Sequence, residues 1–334
     1  MRVKAQFEHG STYVDGAEIY FYNHLSPEIP DAIANELLKR PGYTKMGDVI
    51  PIVINRVAPT TLAEIKKIFF NDKENHFIED NSNFNLCNGY FTYTMAKHRD
   101  SVKVSIVIPT RNRYKLICDC IRSIYEHTYG VSYEIVLVDG SDGIETFREF
   151  LFHAGVFIVR ELVGNGTITA FNRGFKNCAG EYVVWLNDDL IVEKNWLKIA
   201  LEFMENNLDV SMGAIYHKEG ALGNHKPTKG YIWEGDHCVR TLAPWSKHSG
   251  HVYANFGILK NSVLEEMDYW DNVHYKSYVG DTDLTHRMLA KGWKVSPIPG
   301  CRVIHTYQLD DLRALNSLVY KKEREYYETV WSKK

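Results

Sequence analysis

The sequence lacks a long apolar run. No stretch of its 334 residues approaches the roughly 18 to 20 apolar residues that span a bilayer, and the opening MRVKAQFEHG has no apolar core of a signal peptide. These absences predict a soluble, cytoplasmic protein without a transmembrane segment.

Blocks of like charge are also missing. The formal net charge is −3, and acidic and basic residues are interspersed along the chain. Nucleic-acid binding usually shows itself as a basic stripe or patch, so a nucleic-acid partner is excluded.

Cysteine is scarce and scattered. The one close pair has C-x-C spacing, which matches neither a zinc site nor the usual redox motif. We expect free thiols in a reducing compartment at all six positions, which are Cys87, Cys118, Cys120, Cys178, Cys238 and Cys301.

Residues 1–100 predict a small α+β domain. STYVDGAEIYFY alternates around an Asp15-Gly16 turn as a hairpin does, and PDAIANELLKR and PTTLAEIKKIFF have helical spacing. The polar stretches NDKENHFIEDNSNFN and AKHRDS then place a domain boundary near residue 100. Nothing in this part carries chemistry, and docking a partner, forming a homo-oligomer or positioning an acceptor are all compatible with it.

Residues 101–309 alternate short apolar runs with helical segments. The strand order is VKVSIVIP, YEIVLVDG, VFIVRE and YVVWLNDD, with YKLICDCIRSIYEHT and TITAFNRGFKNC as helices between them. Strand, helix, strand predicts parallel pairing with a right-handed crossover, in an α/β sheet that is buried on both faces. Ligands of such sheets bind beyond the carboxyl ends of the strands.

Three of these strands end in polar residues, at 110–112, 139–142 and 187–189. A carboxylate at Asp139 can accept hydrogen bonds from a pyrimidine base or a ribose hydroxyl. Asp188 and Asp189 offer the hard oxygen ligands that Mg²⁺ or Mn²⁺ prefers, which predicts a metal-bound diphosphate beside them. Helix capping is the alternative for the Asp188-Asp189 pair, and it is equally open for Asp142.

Four stretches in this order and spacing resemble the motifs of family 2 glycosyltransferases: VSIVIPTRNR, EIVLVDGSD, GNGTITAFNRGFKNCAGEYVVWLNDD and VGDTDLTHRMLAKGWKV. The resemblance covers residues 102–306. It implies the GT-A fold, a Rossmann-like mixed, mainly parallel sheet flanked by helices, and an inverting enzyme that uses a nucleotide-sugar donor, with UDP- or dTDP-sugars favoured. LNDD takes the place of the Asp-x-Asp metal motif. Its Asn-Asp-Asp form is similar to the motif of those family members that resemble rhamnosyltransferases.

Roles follow from the resemblance position by position. Asp139 would contact the base, Asp188 would lie close to the ribose or sugar, and Asp189 would be the principal ligand of Mn²⁺ or Mg²⁺. Asn187 replaces the first acid of the metal motif, and a neutral amide oxygen binds metal more weakly. The other nucleotide-sugar-binding residues would be Pro109, Thr110, Arg111, Ser141, Asn165 and Asn172.

The second half of the predicted site begins with Asp281 and Asp283. A helix that starts here would stabilise either acid through its dipole, which is the structural alternative. The stretch resembles the family's Glu-Asp motif, with Gly280 in place of the Glu, so Asp281 is favoured over Asp283 as the catalytic base. His305 follows at a spacing that resembles the family's later metal-binding His, and packing is its alternative role.

Two further segments are a polar stretch within residues 101–309 and the C-terminal stretch. Residues 217–251 carry five histidines without metal-ligand spacing, and Trp233 and Trp245 are candidates to stack on an acceptor sugar, with packing as the alternative for each. Residues 310–334 predict an amphipathic C-terminal helix that packs on the catalytic domain, since its charges are mixed rather than basic.

The predicted function is transfer of a hexosyl or rhamnosyl group from a nucleotide sugar to a glycan or other hydroxyl acceptor, as in polysaccharide biosynthesis. A dinucleotide-dependent oxidoreductase is excluded because Thr-Arg-Asn-Arg follows the first strand instead of G-x-G-x-x-G, and a nucleotidyltransferase would need a Gly-rich, Lys-bearing loop there. A non-catalytic carbohydrate-binding protein on the same scaffold is the remaining alternative.

Overall fold

The computed structural model describes residues 3–5, 9–14, 17–22, 43–45, 84–87, 90–94, 99–153, 155–162, 164–219, 230–306 and 311–333. The helices predicted in PDAIANELLKR and PTTLAEIKKIFF lie outside these residues. No described helix is long and apolar enough to cross a membrane. All six cysteines are free thiols, as predicted.

The chain divides into two compact units. The smaller comprises Met1–Val57 and Gln308–Lys322, and the larger comprises Ala58–Tyr307 and Glu323–Lys334. In the smaller unit, β1 (Val3–Ala5) pairs antiparallel with β4 (Tyr43–Lys45), and β2 (His9–Val14) pairs antiparallel with β3 (Ala17–Tyr22). The predicted hairpin is confirmed by the second of these pairs.

The larger unit is a sheet with helices on its faces. The helices are α1 (Tyr114–His127), α2 (Glu145–Phe150), α3 (Thr167–Phe175), α4 (Trp196–Asn206), α5 (Asn261–Glu266) and α6 (Gly280–Ala290). A last helix, α7 (Asp311–Trp331), belongs to this unit from Glu323 onward. The strands are β5 (Phe84–Cys87), β6 (Tyr90–Thr94), β7 (Val104–Thr110), β8 (Tyr133–Asp139), β9 (Val156–Glu161), β10 (Tyr182–Trp185), β11 (Leu190–Val192), β12 (Val210–Glu219), β13 (Tyr231–Glu234), β14 (His237–Thr241), β15 (Val252–Tyr253), β16 (Gly257–Lys260) and β17 (Lys294–His305).

The strand order along the sheet is β11-β17-β12-β16-β10-β7-β8-β9-β6-β5, and β14 joins β13 and β15 to β12. The four central strands, β10-β7-β8-β9, are parallel, whereas the pairs on either side, β10-β16 and β9-β6, are antiparallel. The predicted α/β fold with a mixed sheet is confirmed. Because Thr110 pairs with Asp139 in the β7-β8 register, the carboxyl ends of these two strands are level.

Two apolar cores lie on opposite faces of the sheet. Successive side chains of a strand point to opposite faces, so Ile106 and Ile108 of β7 enter the first core and Val107 enters the second. Helices α1, α2 and α4 cover the first core, and α3, α5 and α6 cover the second. The near-continuous apolar runs of β7 and β8 follow from burial on both faces.

The domain boundary predicted near residue 100 does not coincide with the division of the structure. Strand β6 pairs antiparallel with β9, from Tyr90 opposite Glu161 to Thr94 opposite Phe157, and β5 continues the sheet beyond it. The reason is that β6 buries Phe91 and Tyr93 completely or nearly so, at 0% and 1% exposure, against the first core. These strands therefore belong to the same sheet as those that follow residue 100.

Candidate active site

Two of the three predicted strand ends meet directly. Thr110, the last residue of β7, donates a hydrogen bond from Oγ1 to Asp188 Oδ2 at 2.8 Å. Asp188 follows β10, which lies parallel to β7, so the sheet itself brings the two residues together. Pro109, one residue earlier, and Arg111, one residue later, are both half-buried.

Arg113 is a site residue that the sequence analysis missed. Its Nη1 donates to Asp188 Oδ1 at 2.9 Å and lies 3.7 Å from Asp189 Oδ2. Burial raises the pKa of Asp188 to about 6, and the charge of Arg113 opposes that rise. The cation is needed because two adjacent buried carboxylates without a partner would be strongly unfavourable. The sequence analysis singled out Thr110 and Arg111 in the same TRNR stretch, but not Arg113.

Asp189 and His305 face each other across the neighbouring strands β11 and β17. His305 lies opposite Leu190 in the register, and its Nε2 is 3.2 Å from Asp189 Oδ1. Thr306 holds the backbone in place, since its N–H and its Oγ1 both donate to the Asp189 carbonyl at 2.9 Å. Both facing side chains are buried.

This pair fits a divalent metal. Two ligands at about 2.1 Å from an octahedral ion lie about 3 Å apart when they occupy adjacent positions, close to the observed separation. One carboxylate oxygen and one imidazole nitrogen suit Mn²⁺ better than Mg²⁺. Within the described part of the chain no group of three or more His, Cys, Asp or Glu residues could hold a metal, so the remaining positions would fall to substrate oxygens and water.

Asp139 is bound by other groups of the protein. It is fully buried, and its carboxylate accepts hydrogen bonds from the Ser141 N–H at 3.0 Å and from Arg160 Nη1. Arg160 Nη2 in turn donates to the carbonyls of Ser141 and Gly143, at 2.6 Å and 2.7 Å. The carboxylate therefore holds the loop after β8, and its contact with a base stays a prediction.

Ser141 connects this loop to the end of β7. Its Oγ accepts a hydrogen bond from the Asn112 N–H at 3.0 Å. Asn112, in the left-handed region at φ 55°, exchanges two further bonds with Asp142, each 2.8 Å long. Asp142 is thus a loop anchor, and Arg111 lies 3.5 Å from it.

A fourth polar strand end was missed in the sequence. Glu161 ends β9, is buried, and forms an ion pair with Arg173 of α3. Burial raises the pKa of Glu161, although the charge of Arg173 opposes this. A Cβ at Gly140 would lie 2.7 Å from Glu161 Oε2, so the glycine lets the strand ends approach closely.

Asn172 and Asn165 have separate environments. The Asn172 amide is buried and forms two bonds with the backbone of Trp270: Nδ2 donates to the carbonyl at 2.7 Å, and Oδ1 accepts from the N–H at 3.0 Å. The side chain anchors the segment after α5, and its place along the sugar nucleotide stays a prediction. Asn165 is exposed just before α3.

The two candidate bases at the start of α6 are distinguished by their partners. Asp283 is buried and accepts hydrogen bonds from Arg287 Nε at 2.7 Å and Trp331 Nε1 at 2.9 Å. Asp281 is half-buried, and its Oδ1 accepts from the Thr282 N–H at 2.7 Å. Burial raises the pKa of Asp281 to about 6, which the nearby charge of Arg240 only partly offsets. Asp281 has the properties of a base, and Asp283 those of a structural carboxylate.

Gly280 has a steric explanation. A Cβ at this position would lie 2.6 Å from Ile168 Cδ1 and 2.8 Å from Trp270 Cε3. The space that a Glu side chain would need is therefore filled by the packing of α3 and the segment after α5.

The two candidate acceptor residues lie in different surroundings. Trp245 packs edge-on against Tyr327, with ring centroids 5.7 Å apart, at the border of the second core. Trp233 lies half-buried on the β13-β14 hairpin, 5.9 Å from the exposed Tyr231 ring. Packing accounts for Trp245, whereas Trp233 and Tyr231 form an aromatic surface. Arg240 pairs with Tyr231 in the β-ladder.

Comparison with known proteins gives one family. The family described as "Glycosyl transferase family 2" matches residues 105–268. A dolichol-phosphate mannosyltransferase of Pyrococcus furiosus is 27% identical over 171 residues, which are 50% of this chain and 49% of that protein. The glycosyltransferase GlyG of Streptococcus pneumoniae is 26% identical over 182 residues, 50% of this chain and 59% of that protein. The chain spans about half the length of these two curated relatives.

Solved structures show similar backbones. S. aureus TarS 1–349 has a TM-score of 0.49 at 16% identity and covers 68% of this chain and 73% of that one. Mannosyltransferase PcManGT from Pyrobaculum calidifontis, in complex with GDP-Man and Mn²⁺, has a TM-score of 0.45 at 18% identity and covers 60% of this chain and 56% of that one.

Proposed function

Because the chain belongs to glycosyl transferase family 2 through residues 105–268, we propose that it transfers a sugar from a nucleoside diphosphate donor to a hydroxyl group of a carbohydrate acceptor, with inversion at the anomeric carbon. The observation that carries the proposal is the approach of Asp189 to His305, 3.2 Å apart at the strand ends. Such a pair would supply two protein ligands to a divalent metal that binds the diphosphate of the donor.

Donor binding involves the carboxyl edge of the sheet. Asp189 and His305 would hold Mn²⁺ or Mg²⁺, which neutralises the negative charge that develops on the departing diphosphate. Arg113 keeps Asp188 and Asp189 close to that position. Arg111, half-buried and cationic beside this edge, is suited to contact the nucleotide.

Asp281 acts on the acceptor. Its carboxylate takes the proton of the acceptor hydroxyl, the hydroxyl oxygen forms a bond to the anomeric carbon, and the bond from that carbon to the diphosphate breaks. A pKa of about 6 leaves the carboxylate ionised at neutral pH and close to the value at which a general base is most effective. Trp233 and Tyr231 would offer aromatic faces to the acceptor sugar.

The sugar is proposed to be a hexose or a deoxyhexose. The relatives include proteins named for mannosyl transfer and, at 22% identity over 218 residues, for poly-beta-1,6-N-acetyl-D-glucosamine synthesis. UDP-N-acetylglucosamine, GDP-mannose and dTDP-rhamnose therefore form the first donor panel.

The test is thermal unfolding with this panel, with and without Mn²⁺, followed by measurement of nucleoside diphosphate release. A true donor raises the midpoint of unfolding in a concentration-dependent way, because it binds the native state. The proposal expects one donor to give a Mn²⁺-dependent shift and to be turned over. Stabilisation by a donor that is never turned over, with a range of sugar acceptors present, would favour a non-catalytic binding protein.

A further inference from the structure

The last helix supplies a buried carboxylate to the segment that precedes Asp281. Glu323 is only 4% exposed. Its Oε1 accepts hydrogen bonds from the N–H groups of Lys276 and Ser277, at 2.6 Å and 3.1 Å, and its Oε2 accepts from the Tyr278 N–H at 2.8 Å. Three consecutive backbone donors are thus satisfied by one side chain. Residues 276–278, which we term the base loop, have their backbone fixed in this way.

The base loop is held from its other side by the start of α3. The Lys276 carbonyl accepts a hydrogen bond from the Ile168 N–H at 3.0 Å. Gly166 has φ 92°, and a Cβ there would lie 2.5 Å from the same carbonyl. The peptide of Lys276 is therefore fixed between Glu323 and the segment that carries the exposed Asn165.

After the base loop the chain makes a sharp turn into α6. Val279, the residue before the helix, is in the left-handed region at φ 56°. A β-branched residue in this region is strained, so the surrounding contacts must maintain it. Glu323 supplies the contacts immediately before Val279, and Asp281 lies two residues after it.

The same face of α7 also contacts α6. Residues four apart on a helix lie on one side, and Tyr327 and Trp331 follow Glu323 at this spacing. The Tyr327 hydroxyl is 2.9 Å from His286 Nε2, and the Trp331 ring stacks on His286 with centroids 4.6 Å apart. Trp331 Nε1 also donates to Asp283. One helical face therefore holds both the base loop and the helix that begins with the proposed base.

We propose that Glu323 is a positioning residue for the transfer reaction: through the base loop it sets the place of the Asp281 carboxylate. This inference rests on the proposed function, since it requires Asp281 to be the base. A general base must be placed within hydrogen-bond reach of the proton it removes, and a displacement of about 1 Å can cost about a hundredfold in rate.

Glu323→Gln tests the role with minimal change of shape. A glutamine has one acceptor oxygen, so its NH₂ group would face at least one of the three backbone N–H donors. Glu325→Gln, on the exposed side of the same helix, is the matched control. With Mn²⁺ and whichever of UDP-N-acetylglucosamine, GDP-mannose and dTDP-rhamnose the wild type turns over, we expect Glu323→Gln to lower kcat at least about tenfold. We expect the donor Kd to stay within about twofold, since the donor edge of the sheet is unchanged.

A double-mutant cycle decides whether Glu323 acts through Asp281. In an Asp281→Asn background the residual turnover should not fall further when Glu323→Gln is added. Independent, multiplying effects would overturn the inference, as would a Glu323→Gln variant with wild-type kcat. Equal loss of donor affinity and kcat would also overturn it, because that pattern indicates a general loss of structure.

Failure of the proposed function has a different signature. A wild-type protein that turns over no donor, or an Asp281→Asn variant with full turnover, would remove the base itself, and the positioning role with it. A wild-type enzyme that requires Asp281 but tolerates Glu323→Gln would overturn only the inference about Glu323. Amide hydrogen exchange over residues 276–278 adds a readout independent of activity, and exchange should be faster in Glu323→Gln and unchanged in Glu325→Gln.

Discussion

Asp189 Oδ1 lies 3.2 Å from His305 Nε2, with Asp189 just before β11 and His305 at the end of the neighbouring strand β17. Their separation is that of two ligands to one ion, and it suggests a direct test of the metal.

His305→Ala should abolish the Mn²⁺-dependent part of the thermal shift with the donor. The substitution leaves Asp189 as the one proposed protein ligand, so we expect the affinity for Mn²⁺ to fall at least about tenfold. Mutation of residues that merely orient metal ligands already lowers metal affinity by about this factor. Titration of Mn²⁺ by calorimetry with donor present measures it. His251→Ala, at an exposed loop position, should bind as the wild type does. Unchanged Mn²⁺ affinity in His305→Ala would contradict the assignment.

Asp281→Asn should lower kcat by about a hundredfold or more, while donor binding persists, because only proton removal is lost. The wild-type kcat should rise with pH through about 6 and then level off, since the base must be ionised to accept a proton. Steady-state rates between pH 5 and pH 8 check both statements.

Asp283→Asn provides the contrasting variant for that experiment. Asp283 accepts hydrogen bonds from Arg287 and Trp331, so its neutralisation should lower the unfolding midpoint. Asp281→Asn should not lower it, since burial already disfavours the ionised form of that group. A reversal of these two patterns would exchange the roles of the two acids.

Arg113→Ala should destabilise the fold by about 3 kcal/mol or more, because it leaves buried carboxylates without their cation. Urea unfolding measures the difference. Arg122→Ala removes an ion pair whose arginine is 64% exposed, and it should change stability by less than about 1 kcal/mol. Equal losses of stability in the two variants would show that Arg113 contributes no more to the fold than an exposed arginine.

Asp139→Asn should weaken UDP-, dTDP- and GDP-sugar binding by similar factors. The carboxylate holds the loop through Ser141 and Arg160, so we expect its loss to disturb the loop whichever base is bound. Competition binding with the three nucleoside diphosphates checks this. A loss of affinity for only one of the three nucleoside diphosphates would instead support direct contact between Asp139 and the base.

The sequence predicted the elements that depend on local pattern. Strands β7 and β8 and the helices α1 and α3 follow from runs and spacing, and the convergence of Thr110 with Asp188 follows from parallel pairing. Strands β5 and β6 were not predicted, because they are short and lie beside the polar stretches NDKENHFIEDNSNFN and AKHRDS, which indicated a loop and a linker.

Contacts between residues that are distant in the chain were harder to predict. The ion pair of Asp139 with Arg160 was not predicted, because Arg160 lies in the next strand, β9, and shows no sign of pairing in the sequence. The hydrogen bonds of Asn172 were not predicted either, since the Trp270 backbone that it binds belongs to a segment nearly one hundred residues later. Arg113 and Glu161 were overlooked because their roles depend on partners distant in the sequence. Arg113 pairs with Asp188, and Glu161 pairs with Arg173.

The placement of Asp189 just before β11 and of His305 at the end of β17 has a consequence for folding. The two residues are more than one hundred positions apart in the chain, and contacts of such separation form late because a long loop must first be closed. The ion pocket is therefore complete only once β17 has docked beside β11. Binding of Mn²⁺ during refolding would therefore report the docking of β17 beside β11 rather than the formation of the central parallel strands.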